Sequence, residues 1–375
     1  MEITKEINKY SIVSEAFSLV FNTFFFTVRK LIKPFVNKSG NIVVISFCKL
    51  GDTVFTTPAI NEIRKFYKKT IFVVCYPESV PIYNLMLNNI RFLQIQRGHF
   101  LFGGRIADFY ARKVFAELNP EIIFDLNGVM TSATLIFNSR AKTIIGMSRK
   151  QFREIYDHYV PINRNHHLMD MYLSTVASVI PIIDKESIKD FPNKFNSGGK
   201  ILIHPFAGWK AKEWNLNKFI RLAEEINKQY KIAIIMESGS IPIDILAELD
   251  KKGINFLETN SVDELIFHIK ECSVFIGNDS GPIHIANLLG KPTFSLFGPT
   301  NPKFAAPLGD YNDYTYQVVK CSPRIDEEFC FTNGGRDGCP SFECMNQLSV
   351  EKVKAALLLF FEKINIQKKI SDGLN

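Results

Sequence analysis

The chain of 375 residues has room for two domains, since single domains commonly contain about 100 to 200 residues. Its 46% hydrophobic and 22% charged residues exclude an intrinsically disordered chain. The net charge of +7 suits a phosphate-bearing ligand or an anionic membrane surface. No dense basic run, zinc-finger spacing or aromatic RNA-binding motif is present, so we expect no nucleic-acid partner.

Residues 1–40 are predicted to form a separate N-terminal extension. Its apolar run from Ala16 to Val28 is followed by Arg29, Lys30 and Lys33. A signal peptide carries its basic residues before the apolar run, and a membrane span needs about 20 apolar residues, so the run fits neither class. Without a secretion signal, we expect the chain to stay in the cytoplasm.

Apolar residues recur at helical spacing through this extension. They are Phe17, Val20, Phe21, Phe24, Val28, Leu31, Ile32 and Phe35. The pattern predicts an amphipathic helix with a basic end. Such a helix can lie on a membrane surface, or its apolar stripe can pack on the protein body, and the pattern leaves both open.

Strand and helix patterns alternate from residue 41 onward. Strands are predicted at residues 41–47, 70–76, 92–96, 121–126 and 143–147, and helices at 57–68, 81–89 and 105–118. Because Thr57-Pro58 is typical of a helix start, residues 48–56 are predicted to be a loop. This order predicts an α/β fold with a parallel, doubly wound sheet.

A polar stretch at residues 184–199, with Pro192 and Ser197-Gly198-Gly199, predicts a domain boundary. We assign one domain to residues 41–190, a second to 200–348, and a terminal helix and tail to 349–375. Strands are predicted near 200–205, 231–236, 254–257, 274–277 and 293–297. Ser261 and Glu264 fit a capping box at the start of a helix.

The most informative segment is residues 274–302, which predicts a strand, a turn, a helix and a second strand. The turn Asn278-Asp279-Ser280-Gly281 would direct backbone N–H groups at an anion, such as a pyrophosphate, at the helix N-terminus. Ser280 can donate its hydroxyl, Gly281 permits close approach, and Asp279 can cap the helix or accept hydrogen bonds from a ribose. Simple N-capping explains the turn equally well, and His284 is either a ligand contact or a packed histidine.

Two further loops leave predicted strands at their carboxyl ends, where doubly wound domains bind ligands. One is Phe297-Gly298-Pro299-Thr300-Asn301-Pro302, and the other is Lys49-Leu50-Gly51-Asp52-Thr53. Asp52 could act as a general base that deprotonates an acceptor hydroxyl. The alternative is an aspartate that only caps a helix or lies in a loop.

Four of the seven cysteines cluster near the C-terminus, and they are Cys321, Cys330, Cys339 and Cys344. A zinc site more typically shows Cys-x-x-Cys pairs, and a cytosolic setting disfavours stable disulfides. We therefore assign no metal here, although the spacing leaves one open.

Several separate motifs together resemble glycosyltransferase family 9, the bacterial lipopolysaccharide heptosyltransferases and their relatives. They are Lys49-Leu50-Gly51-Asp52 with Thr57-Pro58-Ala59, Asp125-Leu126-Asn127-Gly128, His204-Pro205 with Lys212 and Trp214, and the Asp279-Ser280-Gly281-x-x-His284 segment that runs to Pro302. The resemblance spans residues 41–353. It implies the GT-B fold, in which two Rossmann-like doubly wound domains face each other across a cleft, with the donor nucleotide on the C-terminal domain.

The resemblance also implies an activity and assigns roles to residues. It implies an inverting transferase that moves a sugar, such as heptose from ADP-heptose, to a lipopolysaccharide-core or related glycolipid, without a metal or other cofactor. Asp52 matches the general base and Lys212 the lysine that neutralises the leaving diphosphate. The residues assigned to nucleotide-sugar binding are Gly51, Asp279, Ser280, Gly281, His284 and Lys210, the last as a rival to Lys212.

A lipid-linked oligosaccharide acceptor implies a peripheral enzyme on the inner face of the cytoplasmic membrane, with the basic N-terminal helix near anionic lipid. Two alternatives remain open from the sequence. One is a nucleotide-sugar epimerase of the same fold, and the other is a non-catalytic protein that binds nucleotide sugars.

Overall fold

The computed structural model describes residues 19–148, 150–162, 166–182, 191, 198–330, 339 and 341–368. These residues fall into two compact units. The N-terminal unit contains the described residues up to 162 together with 169–182, and the C-terminal unit contains 166–168 and those from 191 onward. No helix in the described ranges is both long enough and apolar enough to cross a bilayer.

The N-terminal unit is built on a parallel sheet with the strand order β3-β2-β1-β5-β6-β7, six strands within the described residues. The strands are β1 (Asn41–Ser46), β2 (Ile71–Cys75), β3 (Ile90–Gln94), β4 (Ile106–Ala107, outside this sheet), β5 (Pro120–Asp125), β6 (Thr143–Ser148) and β7 (His158–Pro161). The helices are α1 (residues 19–32), α2 (Leu50–Phe66), α3 (Val80–Tyr83), α4 (Leu101–Gly104, a single turn), α5 (Phe109–Glu117), α6 (Met130–Ile136) and α7 (Leu168–Ala177). The sequence of β1 is almost wholly apolar because both faces of this central strand are covered.

The C-terminal unit repeats the plan with the order β10-β9-β8-β11-β12-β13, again six parallel strands among the described residues. Its strands are β8 (Lys200–His204), β9 (Ile232–Glu237), β10 (Asn255–Thr259), β11 (Cys272–Asn278), β12 (Thr293–Phe297) and β13 (Asn312–Tyr316). Its helices are α8 (Leu216–Ile226), α9 (Ile243–Lys251), α10 (Val262–Glu271), α11 (Gly281–Leu288), α12 (Pro302–Ala305), α13 (Glu343–Gln347) and α14 (Val350–Lys363). The predicted α/β class with two Rossmann-like doubly wound sheets is confirmed.

The predicted loop at residues 48–56 is wrong. Helix α2 starts at Leu50, with Lys49 as its N-cap, and Pro58 lies inside the helix. The Thr53 hydroxyl donates to the Lys49 carbonyl and the Thr57 hydroxyl to the Thr53 carbonyl, both at 3.0 Å. These bonds satisfy the two buried hydroxyls inside the helix. Residues 53–60 and Ile63 are all buried, and this packing offsets the hydrogen bond that the proline cannot donate.

Other helix predictions differ from the structure in length. The helix predicted at 81–89 is reduced to α3, and the first residues of the one predicted at 105–118 form β4 before α5 begins. Ser261 caps α10 by accepting from the Glu264 N–H at 3.2 Å, although the Glu264 carboxylate accepts from the Asn260 N–H and not from Ser261. The last helix begins after Ser349, as predicted, and ends at Lys363.

Helix α1 divides its apolar residues between two environments. Phe25, which was not part of the predicted stripe, is 2% exposed and packs on the rings of Phe137 and Phe152. Arg29 extends this attachment through an ion pair with Asp157 at 3.0 Å. Other members of the stripe are more than half exposed, namely Val20, Leu31 and Phe35, whereas Phe17 lies outside the described residues. The helix therefore packs on the body and also presents an apolar face to solvent.

Candidate functional site

Two loops meet where β8 and β11 end in the C-terminal unit. These strands are parallel neighbours, with Gly277 opposite His204, so their carboxyl ends lie side by side. Asn278, the fully buried last residue of β11, donates from Nδ2 to the Pro205 carbonyl at 2.8 Å and accepts from the Trp214 N–H at 3.0 Å. Its side chain therefore fixes the 205–214 loop against the turn that starts α11. Sequence reasoning placed Asn278 in this turn without giving its side chain a role.

A buried ion pair lies between these two loops. Lys212 Nζ is 2.5 Å from Asp279 Oδ2, and His284 Nε2 is 3.4 Å from Asp279 Oδ1. The Asp279 side chain is 3% exposed and that of Lys212 is 16% exposed. Burial raises the pKa of Asp279, but the Lys212 charge and the His284 hydrogen bond outweigh it and hold the pKa well below its usual range. Asp279 is therefore a carboxylate at neutral pH.

The structure thus brings together three residues that the sequence could assign only separately. Asp279 was expected to cap the helix or to bind a ribose, and both of its oxygens instead contact protein groups. His284, the alternative packed histidine, is buried and also contacts this carboxylate. The arrangement is a lysine ammonium held at a helix N-terminus by an internal counter-ion.

Two hydroxyls near this turn have no hydrogen-bond partner among the described residues. Ser280 is the N-cap of α11, but its Oγ makes no capping bond and is buried. Thr300 Oγ1 is likewise buried without a partner, in the loop after β12. Since β12 pairs with β11 in parallel, both loops leave the same edge of the sheet. Buried polar groups normally have partners, so these hydroxyls suit a polar ligand at this edge.

Lys210 and Lys212, the two rival lysines, occupy different environments. Both belong to a short 3₁₀ turn after β8. The Lys210 side chain is 75% exposed and its Nζ pairs with Glu213 at 2.7 Å. Lys212 instead points inward, with Nζ 4.6 Å from the centre of the Trp209 ring. Only Lys212 lies at the buried turn.

The four clustered cysteines lie beside the loop after β12. The Cys330 N–H donates to the Pro299 carbonyl at 2.9 Å, and a Cβ on Gly298 would lie 3.1 Å from Cys344 Sγ. Burial, with a smaller contribution from the neighbouring thiols, raises the pKa of Cys344 to about 11. Within the described residues, no group of three or more His, Cys, Asp or Glu side chains is placed to hold a metal ion.

Asp52 lies in the N-terminal unit, at the carboxyl end of β1. It is the third residue of α2, directly after Gly51, and is partly exposed. A carboxylate in the first helical turn is favoured by the helix macrodipole. Burial and then the Asp52 charge raise the pKa of the Cys48 thiol to about 12. The position is compatible with a general base and with a carboxylate that only stabilises the helix start.

The Asp125-Leu126-Asn127-Gly128 motif builds the turn at the end of β5. Asp125 Oδ1 accepts from the N–H groups of Asn127 and Gly128, and Tyr156 donates its hydroxyl to Oδ2 at 2.7 Å. Asn127 hydrogen-bonds to both the N–H and the carbonyl of Phe47, the residue that follows β1. The motif therefore connects the ends of two neighbouring strands beside Asp52.

Comparisons with known proteins agree with this architecture. The profile of Glycosyltransferase family 9 (heptosyltransferase) matches residues 112–332, more than half of the chain. Lipooligosaccharide heptosyltransferase 2 of Campylobacter jejuni is 26% identical over 326 residues, which are 81% of this chain and 94% of that protein.

Two solved structures share the fold. The E. coli ADP-heptose LPS heptosyltransferase II structure has a TM-score of 0.64 at 16% identity and covers 87% of this chain and 99% of its own. An E. coli heptosyltransferase solved with ADP has a TM-score of 0.62 at 13% identity and covers 86% of this chain and 98% of its own. The likeness to these structures supports the GT-B class.

Proposed function

Because this chain belongs to glycosyltransferase family 9, we propose that it transfers a heptosyl group from ADP-heptose to a lipopolysaccharide-core or related glycolipid acceptor. The observation that carries the proposal is the buried Lys212–Asp279 pair at the N-terminus of α11. The names of the relatives, which are lipooligosaccharide and lipopolysaccharide heptosyltransferases, support the choice of sugar and acceptor.

The donor diphosphate would bind at the start of α11. Backbone N–H groups and the helix dipole favour an anion there, and the buried Ser280 hydroxyl can donate to it. Lys212 is close enough to exchange Asp279 for a phosphate oxygen as the glycosidic bond to ADP breaks. A fixed positive charge at a developing anion is usually the largest catalytic contribution in such a transfer. Asp279 and His284 hold the lysine ready for that exchange.

The acceptor hydroxyl would be activated by Asp52. As the hydroxyl oxygen attacks the anomeric carbon, its proton passes to the carboxylate. The bond from the anomeric carbon to the diphosphate breaks on the opposite side, which inverts the anomeric centre. The products are the extended glycolipid, ADP held by Lys212, and a protonated Asp52 that returns its proton to water.

The experiment compares Asp52→Asn, Lys212→Met and Lys210→Met in two assays. The first is the thermal shift with ADP, and the second is transfer of labelled heptose to a core-oligosaccharide acceptor. In Lys212→Met, ADP should no longer raise Tm, and kcat should fall by a factor of about 10²–10³. Asp52→Asn should keep the ADP shift and lose about 10²–10⁴ in kcat. Lys210→Met, at the surface, should change both readouts little.

Each outcome assigns or removes a role. Transfer at the unmodified rate by Asp52→Asn would show that Asp52 is not the base. Loss of the ADP shift in Lys210→Met alone would show that Lys210, and not Lys212, binds the diphosphate. If the unmodified protein converts the labelled donor to an epimeric nucleotide sugar, the epimerase alternative is correct. If it binds the donor without turnover in any fraction, it is a binding protein.

The glycolipid acceptor also implies a location. The proposed site of action is the inner face of the cytoplasmic membrane, where an anionic surface can contact the exposed face of α1. Leu31 at the end of α1 and Phe35 in the 3₁₀ turn that follows are 68% and 67% exposed, and Lys30 and Lys33 are their neighbours in sequence. Apolar side chains with flanking lysines are typical of helices that lie on anionic lipid.

A further inference from the structure

A hairpin of residues 100–107 projects from the edge of the N-terminal sheet that carries Asp52. Phe100 and Ala107 form an antiparallel bridge at its base. The Phe100 ring is 4% exposed and lies 4.9 Å from Phe47 and 6.2 Å from Tyr76. Since Phe47 and Tyr76 directly follow β1 and β2, the base of the hairpin is fixed at the carboxyl edge of the sheet.

The tip of this hairpin has an unusual backbone. Phe102, Gly103 and Gly104 have φ values of 51°, 69° and 83°, so three consecutive residues are left-handed. Glycine adopts this region freely, whereas a phenylalanine is strained there. The Phe102 side chain is 77% exposed, so packing within this chain does not offset the strain. Strain that is kept without a packing benefit points to a function for the side chain.

The tip is nevertheless held firmly by α6. Thr131 donates its hydroxyl to the Gly104 carbonyl at 2.6 Å, and Thr134 accepts from the Ala107 N–H at 3.0 Å. These bonds tie residues 104–107, the second side of the turn, to one helix. The exposed ring of Phe102 is therefore presented on a rigid support.

The hairpin and the first turn of α5 together expose five large apolar side chains, which we call the hairpin surface. Its side chains, with their exposed fractions, are Leu101 (49%), Phe102 (77%), Ile106 (39%), Phe109 (77%) and Tyr110 (53%). Large apolar side chains that are exposed within ten consecutive residues exceed the isolated cases normal for a protein surface.

Basic residues are frequent in the sequence that carries the hairpin surface. Residues 97–113 contain Arg97, Arg105, Arg112 and Lys113 against one acid, Asp108, although Arg97 pairs with Glu78 at 2.6 Å. The Asp108 carboxylate is engaged, because it caps α5 by accepting from the Ala111 N–H and pairs with His99. Exposed aromatic and aliphatic side chains with arginine and lysine nearby in sequence suit the interface of an anionic bilayer, where apolar groups enter and cations meet lipid phosphates.

We propose that the hairpin surface inserts into the headgroup region of an anionic lipid bilayer and so brings a membrane-embedded acceptor to the sheet edge that holds Asp52. The inference rests on the proposed function in one respect, that the acceptor is a glycolipid. Insertion itself requires no transfer, so the two can be tested separately.

The test measures partition of the full chain onto vesicles that contain phosphatidylglycerol, with pure phosphatidylcholine vesicles for comparison. Phe102→Ser/Phe109→Ser should weaken partition onto the anionic vesicles by at least about tenfold. The matched control is Phe267→Ser, whose side chain is 63% exposed on α10 in the other unit, and it should bind as the unmodified protein does.

A second variant separates insertion from a loss of structure. Phe102→Gly relieves the left-handed strain, so it should raise Tm by about 2–4 °C while it weakens vesicle binding. A purely structural role would not produce opposite changes in these two readouts. Transfer to a water-soluble, delipidated acceptor should stay unchanged in all these variants, whereas transfer to vesicle-borne acceptor should fall.

Unchanged partition by the double serine variant would overturn the proposal and would assign vesicle binding to the exposed face of α1. A change in oligomeric state without a change in partition would also overturn it and would assign the surface to contact between copies. If the unmodified protein binds vesicles through this surface but transfers no sugar to either acceptor, the proposed function fails and the inserted hairpin stands.

Discussion

Replacing Lys212 by methionine tests whether the buried pair with Asp279 is as important as its geometry indicates. At 2.5 Å and an effective dielectric constant of about 20, the attraction between the two charges is about 6–7 kcal/mol. Desolvation of both groups cancels much of this in the intact protein. Lys212→Met, however, leaves Asp279 buried, with His284 as the remaining charged side-chain partner of its carboxylate among the described residues. We therefore expect the free energy of unfolding to fall by about 3–5 kcal/mol.

The chain provides a selective signal for this measurement. Both of its tryptophans, Trp209 and Trp214, belong to the C-terminal unit, so tryptophan fluorescence during urea unfolding reports on that unit. Lys212→Met/Asp279→Asn should recover most of the loss, with a coupling free energy of at least about 2 kcal/mol. Lys210→Met removes only a surface pair and should change stability by less than about 1 kcal/mol.

Two results would refute this reasoning. A loss of less than about 1 kcal/mol in Lys212→Met would show that His284 alone satisfies the buried carboxylate. Additive losses in the double variant would show that the two charges are not coupled in the folded state, despite their separation.

Two further predictions concern other parts of the fold. Gly128→Ala should lower the free energy of unfolding by at least about 3 kcal/mol, because the φ of Gly128 is +61° and a Cβ would lie 1.8 Å from the Met147 carbonyl oxygen. Urea unfolding followed by circular dichroism measures this loss, and near-native stability would contradict the rigidity of this turn. Burial lowers the pKa of His204 from 6.5 to about 4, so between these pH values the unfolded chain binds more protons and stability falls on acidification. The free energy of unfolding should fall by about 3 kcal/mol on going to pH 4, and this contribution should be absent in His204→Asn. Equal pH profiles of stability for the unmodified protein and His204→Asn would show that His204 protonates freely in the folded state.

The sequence predicted the central strands well because they are apolar runs buried on both faces. The strands β1, β9 and β12 lie within a residue of their predicted bounds, and the turn before α11 was located correctly. The edge strands β7 and β13 were missed. Among the described residues each pairs with a neighbouring strand on one side only, and its mixed polar and aromatic residues give no buried-strand pattern.

The start of α2 and the pairing at the site could not be predicted from local patterns. Thr57-Pro58 has the local chemistry of a helix start, but burial of the preceding turn overrides that preference. Lys212 and Asp279 were both singled out, yet their contact depends on β8 and β11 being neighbours, which is a tertiary fact. The roles of Asn278 and Asp125 were missed for the same reason, since their partners are distant in sequence.

Helix α14 has a consequence for the order in which this protein forms during synthesis. Its Phe360 and Phe361 are almost fully buried in the core of the C-terminal unit, against Phe294 and Tyr230. The described part of the N-terminal unit ends at residue 182, so that unit can fold while the ribosome is still translating the second half. The sheet that starts with β8, in contrast, keeps an apolar face uncovered until residue 361 emerges. During this interval the uncovered apolar face makes the nascent chain prone to aggregation.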